Sequence, residues 1–144
     1  MMPRVLAIDY GKKRCGIAIS DPLKIIANPY TVLSAESILH ELKKIVIEKE
    51  IDTIVVGYPV SMKSEKTSTT QTVEYFIKSL KKEIPGVIVE KFDERLTSKM
   101  AQQILIFTQT KKSERQKKSN IDLIAATILL QNYLDYQQLK QNNL

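Results

Sequence analysis

The stretch from Val5 to Ser20 constrains this chain more than any other. Two apolar runs, Val5 to Ile8 and Gly16 to Ile19, flank Asp9, Tyr10, Gly11 and three successive cations, Lys12, Lys13 and Arg14. A strand that is apolar at every position is buried on both faces and belongs in the middle of a sheet. Gly11, set between two such runs, predicts a β-hairpin. The hairpin delivers one carboxylate, Asp9, to the point where a central strand leaves the core, beside a positively charged turn. That is a place to hold a divalent metal near a phosphate. Asp and Gly are also the ordinary residues of turns, so Asp9 takes on a chemical reading only if other acids can reach it.

Downstream, Asp21-Pro22 breaks the pattern, and Ile25 to Leu33 predicts a third strand, interrupted at Asn28-Pro29. Proline there places this strand at the sheet edge, and three strands with short connections predict an antiparallel meander. Ser34 is a candidate N-cap for a helix whose apolar stripe is Ile38, Leu42, Ile45 and Val46, with His40 off the stripe on the surface. Thr53 to Gly57 is the next buried strand. It gives way at Tyr58-Pro59 to a hydroxyl-rich stretch, residues 61–70, that reads either as a plain exposed connection or as a loop at the carboxyl end of a strand, where α/β sheets bind ligands.

Val73, Phe76, Ile77, Leu80 and Ile84 predict a second helix, closed by Pro85-Gly86. A strand from Val87 to Phe92 then ends in Asp93-Glu94-Arg95, and Thr97 can cap a third helix through Ile104 to Phe107. The alternation of helix and strand between 34 and 107 requires crossovers and therefore parallel strands. Residues 108–120 carry Lys111, Lys112, Arg115, Lys117 and Lys118 against one acid, Glu114, and read as a solvated basic loop. Ser119-Asn120 would cap the last helix, with Ile121, Ile124, Ala125, Ile128, Leu129 and Tyr133 as its buried stripe. Residues 135–144 read as a polar, frayed tail.

The length of 144 residues fits one domain, 1–144, able to build a core without disulfide staples. A single cysteine, Cys15, excludes an internal disulfide framework and a thiolate metal cluster, and favours a reducing cytoplasm. No apolar run is long enough to span a membrane, and the N-terminus lacks a signal-peptide layout. The net charge of +6 favours a polyanionic partner such as nucleic acid.

Acids stand at three element boundaries: Asp9 at one strand end, Asp93-Glu94 at another, and Asp122 in the first turn of the final helix. Converging carboxylates suit hard cations such as Mg²⁺ or Mn²⁺, which can promote phosphodiester cleavage. Each acid also has a structural reading. Asp122 would favour the helix dipole by about 0.3–1 kcal/mol, and Glu94 with Arg95 could form a surface ion pair worth about 0–1 kcal/mol.

Four motifs together carry a resemblance along nearly the whole chain. They are Asp9-Tyr-Gly-Lys-Lys-Arg-Cys-Gly-Ile-Ala with Ser20-Asp21, then Val56-Gly57-Tyr58-Pro59, then Asp93-Glu94-Arg95-Leu96-Thr97-Ser98, and last Ile121-Asp122-Leu-Ile-Ala-Ala with Leu130-Gln131-Asn-Tyr-Leu134. In their order and spacing they resemble the YqgF/RuvX family of ribosomal-RNA-maturation nucleases. The resemblance implies an RNase H-like α/β fold, a five-stranded mixed sheet with its first three strands antiparallel and its last two parallel to the first, flanked by helices. It implies that Asp9, Glu94 and Asp122 form an acidic triad for Mg²⁺ or Mn²⁺, with Asp93 the alternative to Glu94. Lys12, Lys13, Arg14 and Arg95 would contact phosphates, and Lys111, Lys112, Arg115, Lys117 and Lys118 would extend the basic surface.

The implied task is trimming of precursor 16S ribosomal RNA, with RNA ahead of DNA, pre-ribosomal particles as partners, and a monomer or weak homodimer as the working form. The chain departs from the family pattern at Val60-Ser61-Met62-Lys63-Ser64, where an Asn and an Asp-Gly turn are usual, which puts the specificity of that loop in doubt. A Holliday-junction resolvase acting on DNA would share the fold and acids but needs a stable dimer. A non-catalytic RNA-binding module would not need Asp9. An actin-like ATPase needs two duplicated domains, which a chain of 144 residues without a repeat does not provide.

Overall fold

The computed structural model describes residues 3–58, 68–93 and 115–142, the side chains of 68–69, 115–120 and 142 excepted. Strands β1 (Arg4–Tyr10) and β2 (Arg14–Ser20) form the expected hairpin, with Leu6 opposite Ile19 and Asp9 opposite Gly16. Its turn is tight. A Cβ on Gly11 would lie 2.4 Å from the carbonyl oxygen of Arg14, which only glycine avoids.

Strand β3 (Ala27–Ser34) pairs antiparallel with β2 and forms one edge of the sheet. It begins at Ala27 rather than Ile25 because the Asp21 carboxylate accepts the N–H groups of Leu23, Ile25 and Ile26 at 3.2, 2.7 and 2.8 Å. Those bonds hold the chain in a turn and keep the Asp21 carboxyl below its ordinary range. At Pro29, which cannot donate to a ladder, the register slips: Ile17 faces Thr31 while Ala18 faces Pro29, so Tyr30 is an extra residue.

Helix α1 (Ile38–Glu48) follows Ser37, not Ser34, because Ser34 still belongs to β3 and its Oγ accepts the Ser37 N–H at 3.2 Å. Ile38, Leu42 and Ile45 are its buried side, as the spacing predicts. Strand β4 (Ile51–Tyr58) lies parallel to β1. Helix α2 (Ser68–Glu83) takes up the last three residues of the hydroxyl-rich stretch and buries Val73, Phe76, Ile77 and Leu80, with Ile84 just beyond. Strand β5 (Ile88–Asp93) is parallel to β4, and the strand order is β3-β2-β1-β4-β5. This is the mixed five-stranded sheet that the resemblance implies. The helix expected from Thr97 lies outside the described residues.

Helix α3 (Arg115–Asn142) differs from expectation at its start and in its buried side. It begins at Arg115, so Arg115 to Asn120 are helical rather than loop, and Ser119-Asn120 does not cap it. Arg, Lys and Gln are strong helix formers, and here they extend a helix that lacks an apolar stripe at that end. Asp122 consequently sits about two turns in, beyond the reach of the N-terminal dipole. The buried side is also rotated. Ala126, Leu129, Leu130, Tyr133 and Leu134 are buried, while Ile121, Ile124, Ala125 and Ile128 are only half-buried. At the other end the helix continues through residues 135–142, where the tail was expected to fray. Tyr136 there packs edge-on against Phe92, with ring centroids 5.9 Å apart.

Side-chain alternation sorts the sheet into two faces. Leu6, Ile8, Cys15, Ile17, Ile54 and Val56 point toward α1 and α2, and Val5, Ala7, Ala18, Val55 and Phe92 point toward α3. Among the described residues no helix is long and apolar enough to cross a membrane.

Candidate active site

Two of the acids predicted from sequence, Asp9 and Asp122, lie on the α3 side of the sheet, at the carboxyl end of β1. Asp9 shares the parity of Val5 and Ala7, which pack under α3. Its antiparallel partner is Gly16, with the two Cα atoms about 5 Å apart as such pairs require. Directly above Gly16 lies α3: a Cβ at that position would be 2.0 Å from the carbonyl oxygen of Asp122 and 3.3 Å from the Cβ of Ala126. No side chain fits there. Gly16 thus lets the helix backbone settle onto β2, and this contact brings the backbone of Asp122 over the strand residue that pairs with Asp9.

Arg14, two residues before Gly16 and on the same face, bonds across the gap. Its Nε donates to Oδ2 of Asp122 at 3.0 Å, with side chains 44% and 25% exposed. Lys12 and Lys13 are exposed in the turn next to it. The arrangement is a pair of carboxylates rimmed by cations, at the end of the sheet where α/β folds place ligands.

Cys15 points to the other face and is fully buried. Burial pushes its thiol up to about 11, and the Asp9 and Asp122 carboxylates add to the rise while a bond to the Gly11 carbonyl opposes it. Lying on the other face, it adds no soft ligand to the two carboxylates. The donors left are carboxylate oxygens, the set a hard cation prefers. Among the described residues Asp9 and Asp122 supply two such groups, and no cluster of three potential ligands is complete. Two carboxylates fit Mg²⁺, which keeps several waters and takes further oxygens from substrate phosphates. The cradle over Gly16, which any Cβ would fill, is what holds them together.

Not every predicted residue is brought here. Asp93, the alternative third acid, has the parity of Val87 and Val89 and therefore points to the α1/α2 face, away from Asp9. Glu94, Arg95, Lys111 and Lys112 lie outside the described residues. Arg115, Lys117 and Lys118 are in the first turn of α3, where the backbone alone is described.

Sequence reasoning missed Gly16 as a site residue and the partner of Arg14. The available signal was the run of small residues, Gly16 and Ala18 on one face of β2 and Ala126 on the helix, which marks a close backbone approach. It also missed Gln131, whose amide joins α3 to the start of β3 by accepting from the Ala27 N–H and donating to the Ile25 carbonyl, each at 2.9 Å.

Comparison with known proteins agrees with this architecture. A protein of Flavobacterium psychrophilum described as "Putative pre-16S rRNA nuclease" is 42% identical over 133 residues, covering 92% of this chain and 97% of the relative. One from Bacteroides fragilis with the same description is 41% identical over 138 residues, covering 96% of this chain and all of the relative. T. thermophilus RuvC, solved with a Holliday junction substrate, superimposes with a TM-score of 0.59 over 94% of this chain and 96% of RuvC. At 10% identity that likeness speaks for the RNase H-like fold alone. The family model "RuvX: Holliday junction resolvase" matches residues 3–136, and the chain belongs to that family.

Proposed function

We propose that this protein is a divalent-metal-dependent nuclease that cleaves phosphodiester bonds in RNA, with precursor 16S ribosomal RNA as its substrate. The observation that carries the reading is the meeting of Asp9 and Asp122 on either side of Gly16, beside the cationic turn at the end of β1. Asp9, Asp122 and Glu94 would hold Mg²⁺ or Mn²⁺. Glu94 is preferred over Asp93 because Asp93 has the parity of the opposite face. When bound, such an ion supplies Lewis-acid stabilisation at the phosphate and activates water.

The chain's own cations do the rest. Lys12 and Lys13 would hold backbone phosphates at the rim, and Arg14 would contact the phosphate being cut. Arg95, Lys111, Lys112, Arg115, Lys117 and Lys118 extend the path of the strand. Phosphate contacts of this kind fix position without reading sequence, so pre-ribosomal particles are the proposed source of specificity. The single buried cysteine favours a cytoplasmic location. The substrate assignment is supported by the descriptions of the Flavobacterium and Bacteroides relatives.

The test is cleavage of labelled single-stranded RNA and of precursor particles with Mg²⁺ or Mn²⁺, native chain against Asp9→Asn. We expect metal-dependent cutting that falls at least about 100-fold in the variant, the scale for loss of one electrostatic stabiliser. Equal behaviour of the two would sink the catalytic reading and leave an RNA-binding module.

A second reading, cleavage of branched DNA, is favoured by the description of the family model. A DNA four-way junction run in the same assay separates the two. Symmetric junction cutting by a dimer would favour the resolvase.

A further inference from the structure

Arg14 reads from sequence as a phosphate contact, yet its guanidinium is on Asp122, Nε to Oδ2 at 3.0 Å. We propose that this ion pair is a displaceable lock: Arg14 neutralises Asp122 while the two carboxylates hold no metal, and entry of a divalent cation turns the guanidinium out onto the phosphate of the nucleic acid. The inference rests on the metal site proposed above and adds to it an order of events. Metal comes first, and the arginine is released by it.

Charge is the first reason. The Arg14 guanidinium partly neutralises Asp122 while it holds that carboxylate. A dication bound at Asp122 would stand a few ångströms from that guanidinium, and like charges so close near a protein surface repel. One of the two cations must yield on Asp122.

Arg14 is the one able to yield. Its backbone is fixed in β2 opposite Ser34, but its side chain is 44% exposed and makes the contact through Nε, so the stem can rotate without disturbing the sheet. Exposed ion pairs of this sort contribute little, and exchange is therefore inexpensive. The backbone of Asp122 cannot move outward with the guanidinium. It is seated on Gly16 by contacts that leave no room for even one added carbon.

Once released, Arg14 is next to the exposed Lys12 and Lys13 on the turn. Its planar fork suits a phosphate better than either lysine does. Arg14 is then a positioning residue for Asp122 in the metal-free protein and a phosphate contact in the loaded one.

The test is a Mn²⁺ titration of the nucleic-acid-free protein, read by the electron paramagnetic resonance signal of free Mn²⁺, on the native chain, Asp9→Asn, Arg14→Gln and Arg14→Lys. Removing the competing charge in Arg14→Gln should tighten Mn²⁺ binding by roughly two- to fivefold, the scale set by an exposed ion pair. Arg14→Lys keeps the charge and should stay near native affinity, which also guards against a loss of folding. For single-stranded RNA, Arg14→Gln should match the native chain without metal and bind more weakly with Ca²⁺ present.

Mn²⁺ binding that depends on Asp9 but is unchanged or weaker in Arg14→Gln overturns the lock and leaves the metal site standing. Native protein that takes up no Mn²⁺, or takes it up equally after Asp9→Asn, overturns the metal site and the lock with it.

Discussion

The sheet face beneath α1 and α2 buries Leu6, Ile8, Ile17, Ile54, Val56 and Leu80, all large and aliphatic, whereas the face beneath α3 is built on Val5, Ala7, Ala18, Val55 and Ala126. The first face meets its helices through bulky side chains on the strands. The second lets a helix descend until its backbone touches the sheet at Gly16. The α3 face also carries Asp9, Arg14 and Asp122 at one end, and Tyr133 bonded to Glu90 further along it. Among the described residues, the strands under α1 and α2 carry the bulkier side chains, and the close backbone approach lies on the α3 side, where the site is proposed. A site of short acids needs its two walls near each other, and small residues are what bring them near.

That contrast can be broken by mutation. The largest loss of stability is expected from Leu80→Ala on the α2 side, where a fully buried side chain would leave a cavity costing about 2–5 kcal/mol. Measured by urea unfolding, this loss should leave cleavage by the remaining folded protein intact. If cleavage vanished while the chain stayed folded, the division of labour between the faces would be wrong.

Gly16→Ala is the sharper probe. Its added methyl meets a backbone carbonyl rather than a movable side chain, and overpacking of this kind costs about 1–3 kcal/mol. The helix must lift, Asp122 must retreat from Asp9, and cleavage should fall far more than the stability loss explains. Native-like cleavage by Gly16→Ala would show that the close approach is structural only.

Tyr133→Phe tests the polar part of the α3 face away from the site. The hydroxyl donates to Glu90, and burial together with that bond raises the phenol's pKa. Losing a bond to a charged acceptor should cost about 1–2 kcal/mol, without changing the rate of cleavage.

The smallest effect is one of pH. The buried Cys15 thiol is held up to about 11, against 9.0 for a free group. Between those values the folded chain keeps a proton that the unfolded chain has lost. The contribution is therefore complete below the lower value and declines as pH rises through the higher one. Cys15→Ala should flatten the fall in unfolding free energy over that range. An unchanged slope would mean that other groups, such as Tyr58, pushed up to about 12 by its bond to Glu74, control it.

Much of this molecule was legible in the chain. The hairpin, the edge placement of β3 and the buried stripes of α1 and α2 all come from local periodicity and turn residues, and each is found. Legibility failed where a side chain bonded to something the pattern did not show. Asp21 draws Ile25 and Ile26 out of β3 although both look like strand residues. Ser34 and Ser37 exchange roles at the start of α1 because Ser34 is still paired in the sheet.

The last helix is the clearest case. Ile121, Leu123, Ile124, Ile128 and Leu129 place apolar groups around much of its circumference, so periodicity alone does not choose a buried side. At the site, Asp9 could be identified from the strand that ends in it, but its company could not.

By itself, then, the sequence determined the order of strands and helices, the two-faced burial of β1 and β4, and the presence of an acid beside cations at the end of the central strand. Those features follow from local hydrophobic pattern and turn chemistry. Only the tertiary structure decided which side of α3 meets the sheet, that Asp122 comes to Asp9, and that Arg14 closes on Asp122 across 108 positions of chain. The physical reason is steric. Two backbones remote in sequence can approach this closely only where Gly16 has no side chain, and a missing side chain shows its effect only when its neighbour in space is known.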